Sequence, residues 1–207
     1  MDRGADGRRL QLPQRVTLTG APRTLGGMGV QELRPGLWRW TARHPEWDNR
    51  EVSSAYVETA DSVVLIDPLV PRDEEERFYR ALARDVERLG LPVAIILTNP
   101  WHRRSSAELA ARFGATVHVA GEDLPTGFEA YPGGMQPEDF VVFAPTHRVL
   151  FTGDTIVDGR PCPEDWLAEG PEHHLACLRR LLALDADLVV PSHGEPFPLE
   201  QLARTLQ

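Results

Sequence analysis

The feature that most constrains this chain is the run VAIILTNPWHRRSSAELAARFGATVHV, residues 93–119. Val93 to Leu97 is a short apolar stretch of β-strand length, and the polar loop Thr98 to Arg104 follows it. Ser105-Ser106-Ala107-Glu108 has the form of a capping box, so it opens a helix that Gly114 ends, and Thr116 to Val119 supplies another strand. A strand that feeds a helix in this way must bury the helix against a sheet, which points to a layered fold.

The rest of the sequence fits that frame. Arg15 to Thr19, Gly36 to Thr41, Val52 to Thr59 and Ser62 to Ile66 are rich in β-branched and aromatic residues and read as strands, with Ala60-Asp61 as a hairpin turn. From Asp73 the spacing becomes helical, with Phe78, Leu82, Val86 and Leu89 on one face and Gly90 as the stop. A Gly- and Pro-rich stretch runs to Gln136. Beyond it, Phe140 to Ala144 and Val149 to Thr152 form a hairpin around Pro145-Thr146-His147. A helix carrying Leu175, Leu178 and Leu181, a strand Leu188 to Val190, the loop Pro191-Ser192-His193-Gly194 and a closing helix complete the chain. The expected fold class is α/β (α+β), two layers of sheet between two layers of helix, with a flexible segment 1–13 before a single domain 14–207.

Composition removes several functions. With 22 basic and 31 acidic residues the net charge is -9, and no run of Lys and Arg could follow a phosphate backbone, so nucleic acid is not an expected partner. The N-terminus MDRGADGRRLQLPQ lacks the apolar stretch of a signal peptide, and no apolar run could span a bilayer, so no membrane partner and a cytoplasmic location are expected. Cys162 and Cys177 lack metal-ligand spacing and read as free, buried thiols with a packing role. The sequence does not specify an oligomeric state.

Three loops leave the C-terminal ends of expected strands: Thr98 to Arg104, Gly153-Asp154-Thr155 and Ser192-His193-Gly194. Ligands of sheet proteins gather at such ends. The run ILTNPWHRRSSAELAARFGATVHVA resembles the segment of the metallo-β-lactamase superfamily that reads strand, Thr-His-x-His-x-Asp-His, helix, Gly-Ala-x-Val. SSAYVETADSVVLIDPL resembles the hairpin before it, HRVLFTGDTIVDG the segment with the bridging aspartate, and LVVPSHGEP the last histidine loop. The resemblance covers the chain from about residue 36 and implies a four-layer αββα sandwich, with a pair of zinc ions activating a bridging water.

Carried over by position, the ligands of that family fall on Asn99, Trp101, Arg103, Arg104 and Met135, all replaced, and on Asp154 and His193, which match. Tryptophan is no zinc ligand, and two guanidinium groups oppose a divalent ion by charge. The expectation is therefore no cofactor and a metal-free pseudoenzyme that binds a small anionic molecule or a protein through Arg103, Arg104 and Trp101, with His102, Asn99 and Met135 lining the same region. A fixed cation could replace the metal by pairing Arg103 or Arg104 with Asp154; the alternative is that both point to solvent.

Two other readings stand beside it. Asp154, His193 and His102 could hold one zinc or other divalent ion, or Asp154 and His193 could act as a metal-free acid and base, in a hydrolase of esters, lactones or thioesters. The fold could also have been kept for a partner surface. His102 lies one residue out of register with the ligand positions and reads as a surface or packing histidine. Asp154 and His193 could equally be relics that hold loops. His173-His174 reads as exposed helix surface. Trp47 and Trp101 are candidates to wall a pocket for a planar ligand, whereas Trp38 and Trp40, two apart, share a buried sheet face.

Overall fold

The strand-rich first part of the chain builds a meander, and helices enter only where the next strand must run parallel to the last. A computed structural model of the protein describes residues 29–207. In chain order the elements are β1 (Gly29–Arg34), β2 (Leu37–Arg43), β3 (Glu51–Glu58), β4 (Val63–Ile66), α1 (Glu75–Leu89), β5 (Val93–Leu97), α2 (Ser106–Phe113) and β6 (Thr116–Val119). There follow β7 (Glu129–Pro132), β8 (Phe140–Ala144), β9 (Val149–Phe151), β10 (Ile156–Val157), β11 (Arg160–Pro161), α3 (Pro171–Leu181), β12 (Leu188–Val190), β13 (Phe197–Pro198) and α4 (Leu199–Thr205). The strand expected at Arg15 to Thr19 and the segment 1–13 lie outside the described residues.

Strands β1 to β6 form one sheet in sequential order, antiparallel through β4 and then parallel across β4, β5 and β6. The second sheet has the order β13-β12-β9-β8-β7, with β12 and β9 parallel. Successive strand residues face opposite sides, so Val64 and Ile66 join Val142, Val149, Phe151 and Val190 between the sheets, whereas Val63 and Leu65 turn to the outer face. There Phe78, Tyr79 and Leu82 of α1 and Leu109 of α2 cover the first sheet. Leu178 and Leu181 of α3, with Leu199 and Leu202 of α4, cover the second. The layers run helix, sheet, sheet, helix, as the sequence implied.

Local chemistry explains the helix ends. Helix α1 stops at Gly90, whose φ of 64° is the left-handed region that glycine enters without penalty, and its N–H closes onto the Val86 carbonyl. The capping box expected at Ser105 is not formed: Ser105 Oγ instead accepts a hydrogen bond from the Val70 backbone N–H at 2.9 Å, tying the start of α2 to the segment after β4. Trp40 is buried and Trp38 partly so, both on the helix-covered face, and Trp40 Nε1 donates to the Leu69 carbonyl at 2.8 Å. Strands β1, β7 and β13 and the β10/β11 hairpin were not foreseen. No helix among the described residues is long and apolar enough to cross a membrane.

Candidate functional site

The site lies where the loops after β4, β5, β9 and β12 meet. Asp67 follows β4, and its side chain reaches the next strand: Oδ1 accepts from the Thr98 N–H at 2.8 Å and Oδ2 from the Thr98 hydroxyl at 2.7 Å. Asn99 starts a tight turn, with its side-chain oxygen and its carbonyl both accepting from the His102 N–H. That turn directs His102 inward, where only 5% of its surface is exposed, and leaves Trp101 48% exposed at the rim. His102, expected either as a surface or packing histidine or among the residues lining the site, is buried by this turn and lines the cleft.

Both ring nitrogens of His102 face carboxylates, Nδ1 donating to Asp67 Oδ2 at 3.0 Å and Nε2 donating to Asp154 Oδ2 at 3.1 Å. A neutral imidazole has one N–H, so two accepting carboxylates select the imidazolium. Burial, the largest single effect, opposes that charge, but the Asp67 carboxylate and the hydrogen bonds to Asp154 and Asp67 together outweigh it and raise the His102 pKa to about 9. Burial, the largest single effect, opposes ionisation of Asp154, yet His102 and His193 together hold its carboxyl well below the usual range. Asp67 is likewise lowered, His102 overcoming the cost of burial.

Arg104 supplies a second internal cation. Its Nη1 donates to the carbonyls of Ser53 at 2.9 Å and Asp67 at 2.8 Å, and its Nη2 to Ser192 Oγ at 3.4 Å. Burial lowers its pKa, with the Asp67 and Asp154 carboxylates acting in opposition. Asp67 and Arg104 both hold positive φ, 45° and 37°, a strained backbone for non-glycine residues that clusters at this site. Neither Arg103 nor Arg104 forms an ion pair with Asp154 among the described residues; the cation that does so is His102. Arg103 is exposed.

His193 approaches Asp154 from the other side. Its Nε2 lies 3.2 Å from Asp154 Oδ1, close enough for an ion pair but off the angle of a hydrogen bond, so both atoms are buried without a hydrogen-bond partner. Trp47 packs edge-on against the His193 ring at 4.5 Å. Gly153, before Asp154, has φ 51°, and a Cβ there would sit 2.5 Å from Thr98 Oγ1, so only glycine lets the two loops touch. Arg39 fastens the last loop: it donates to Ser53 Oγ at 2.9 Å, to the Gly194 carbonyl at 2.9 Å and to Glu195 at 2.8 Å.

Above this floor opens a cleft of about 490 Å³ lined by His44, Glu46, Trp47, Trp101, His102, Arg104, Met135, Gln136, Asp154 and Trp166. Asn99, fully buried, holds the turn and does not line the cleft. His44 and Trp166 were not anticipated. Nor was Asp67, although a carboxylate at the end of the apolar run Val63 to Ile66 obeys the same strand-end rule that marked the other loops. Asp139 is also new: wholly buried, it accepts from Thr155 Oγ1 at 2.6 Å, and burial pushes its carboxyl up to about 7. His174, expected on the surface, is buried, with Nδ1 donating to the Gly133 carbonyl at 2.9 Å and Nε2 3.6 Å from Cys162 Sγ. Burial raises the Cys162 thiol to about 12.

The donor set does not fit the zinc pair that the resemblance implies. Among the described residues no group of three or more His, Cys, Asp or Glu is arranged to hold a metal ion, and both His102 nitrogens are engaged by carboxylates. Replacement of the ligand positions by Asn99, Trp101, Arg103, Arg104 and Met135 removes the donors, and the guanidinium of Arg104 adds positive charge to the floor.

No protein-family model matches this sequence. No curated protein matches it either. Solved structures do. That of TMB-1 superposes with a TM-score of 0.66 at 17% identity over 88% of this chain and 96% of the other. A metallo-β-lactamase from Hirschia baltica gives 0.64 at 21% identity, covering 86% and 96%. The metallo-β-lactamase FIM-1 from Pseudomonas aeruginosa, in its mono-zinc form, gives 0.61 at 14% identity, covering 87% and 93%. With the helix-sheet-sheet-helix layers and the strand-end cleft already described, these likenesses establish that the chain has the metallo-β-lactamase fold.

Proposed function

We propose that this chain is a metal-free pseudoenzyme that binds a small molecule in the cleft at the strand ends. The observation that carries this reading is the pair of hydrogen bonds from His102 to Asp67 and Asp154. Buried carboxylates need a cation nearby, and in this chain an imidazolium supplies it in place of a metal. Arg104 adds a second positive charge against the two negative ones, so the floor is balanced by its own residues. The free, buried thiols Cys162 and Cys177 fit a reducing, cytoplasmic compartment, and the net charge of -9 disfavours nucleic acid. Metal analysis of untagged protein after growth with added zinc tests the reading: far less than one equivalent is expected, whereas one equivalent lost on Asp154→Asn substitution would overturn it.

One observation favours a second reading. Asp154 Oδ1 and His193 Nε2 lie together at the floor without hydrogen bonds, the arrangement of an acid and base able to handle a water. In that case the chain is a metal-independent hydrolase of esters, lactones or thioesters. Turnover of such substrates in the presence of chelator, abolished by His193→Gln, would establish it; no turnover across the panel would remove it.

A further inference from the structure

The small-molecule reading leaves the chemistry of the ligand open, and the lining of the cleft narrows it. Of the two arginines that pointed to an anion, Arg103 is exposed and does not line the cleft, whereas Arg104 does. Both terminal nitrogens of Arg104 are committed to Ser53, Asp67 and Ser192, but its Nε is shut off from solvent with no acceptor. His44, just past β2, also lines the cleft, and its Nδ1 is buried without a partner in the same way. The two side chains are neighbours: burial lowers the His44 pKa, and the Arg104 cation lowers it further. A guanidinium N–H can only donate, and a buried donor left unpaired is costly, so an acceptor is what this wall lacks. Asp154 does not supply it, being held by His102 at 3.1 Å and faced by His193 at 3.2 Å. Glu46, the other carboxylate of the lining, is exposed at the rim.

The remaining walls are aromatic. Trp47, Trp101 and Trp166 all line the cleft, and the rings of Trp47 and Trp166 stand 6.5 Å apart at 51°. Buried Trp40 spends its N–H on the Leu69 carbonyl, whereas the indole N–H groups of these three have no hydrogen-bond partner among the described residues. A volume of about 490 Å³ is that of a small-ligand pocket, and indoles pack well against flat rings.

We propose that the ligand is a planar aromatic carboxylate. Its ring lies among the three indoles, and its carboxylate accepts from Arg104 Nε and His44 Nδ1. The proposal rests on the reading of the cleft as a small-molecule site and names the class of molecule that the site takes.

Benzoate, benzamide and benzamidine share one shape and differ in charge, and calorimetry with tryptophan fluorescence on the full chain ranks them. Saturable binding of benzoate is expected, about tenfold tighter than benzamide, since a hydrogen bond to a charged acceptor exceeds one to a neutral acceptor by roughly that factor. Nitrogen-15 NMR reads the contact without any substitution: the Arg104 Nε–H resonance, assigned through its own backbone, shifts on saturation with benzoate. His44→Ala weakens benzoate by about tenfold. Trp101→Ala removes an exposed side chain without touching the core and weakens it by roughly twofold to tenfold. Benzamide or benzamidine binding as tightly as benzoate would overturn the ligand class and leave the small-molecule reading standing. An Arg104 resonance unmoved at saturation, or an affinity indifferent to His44→Ala or Trp101→Ala, would overturn the placement. If none of the three compounds binds and a fragment panel gives no thermal protection, both the inference and the reading beneath it fail.

Discussion

The loop after β5 and the loops after β9 and β12 meet at one cleft but bring opposite charges to it. Thr98 to Arg104 keeps none of the metal-binding residues expected there and instead sends two cations inward, His102 and Arg104. The opposite loops keep Asp154 and His193 in place. The retained carboxylate therefore faces an imidazolium 3.1 Å away. Buried carboxylates stay charge-balanced when a neighbouring loop supplies the cation.

The sharpest way to break that comparison is to remove the cation. His102→Ala leaves Asp67 and Asp154 buried without their shared partner, and a loss of about 3–5 kcal/mol of stability is expected in urea unfolding. Recovery of that loss by a further Asp154→Asn substitution would tie the effect to charge; no recovery would tie it to packing.

Next comes pH. The folded pKa of His102 is about 9, above its ordinary 6.5, so its contribution of about 3 kcal/mol is full below pH 6.5 and is lost as pH rises through about 9. Asp139 acts in the same sense lower down. Its folded pKa of about 7 exceeds the ordinary 3.8, so stability declines as pH rises between those values, and Asp139→Asn should flatten that part of the profile. Asp67 and Asp154 oppose both: their lowered pKa values add stability above the ordinary 3.8 that is lost as pH falls below it.

Arg39→Ala should cost about 2 kcal/mol, because a buried guanidinium with hydrogen bonds to Ser53, Gly194 and Glu195 holds the His193 loop to β3. Smallest is Arg103→Ala. Its side chain is exposed beside the two inward cations, and unfolding midpoints should not move. A large effect there would erase the contrast between the two neighbouring arginines.

These contrasts also show what the sequence made legible. The layers were readable because Val93 to Leu97, Val149 to Phe151 and the helix faces bury continuous apolar sets. Strands β7 and β13 were not, since each is short, half-exposed and contains proline, which carries no strand period. Within the site, Asp154 and His193 stood out by position, and the loops were found by the strand-end rule. The inward course of His102 was not legible, because a strand-like alternation cannot foresee the Asn99 turn that produces it. Asp67 was passed over as the end of a hairpin, although its importance depends on Thr98 and His102, 31 and 35 positions away in the chain.

The most direct test of the internal cation is nitrogen-15 NMR of the His102 ring in full-length, metal-free protein at pH 7.5, assigned by comparison with His102→Gln. Two protonated ring nitrogens that titrate together near pH 9 are expected. A ring with one unprotonated nitrogen at that pH would contradict the imidazolium, and with it the proposal that a residue of the chain supplies the cation for Asp67 and Asp154.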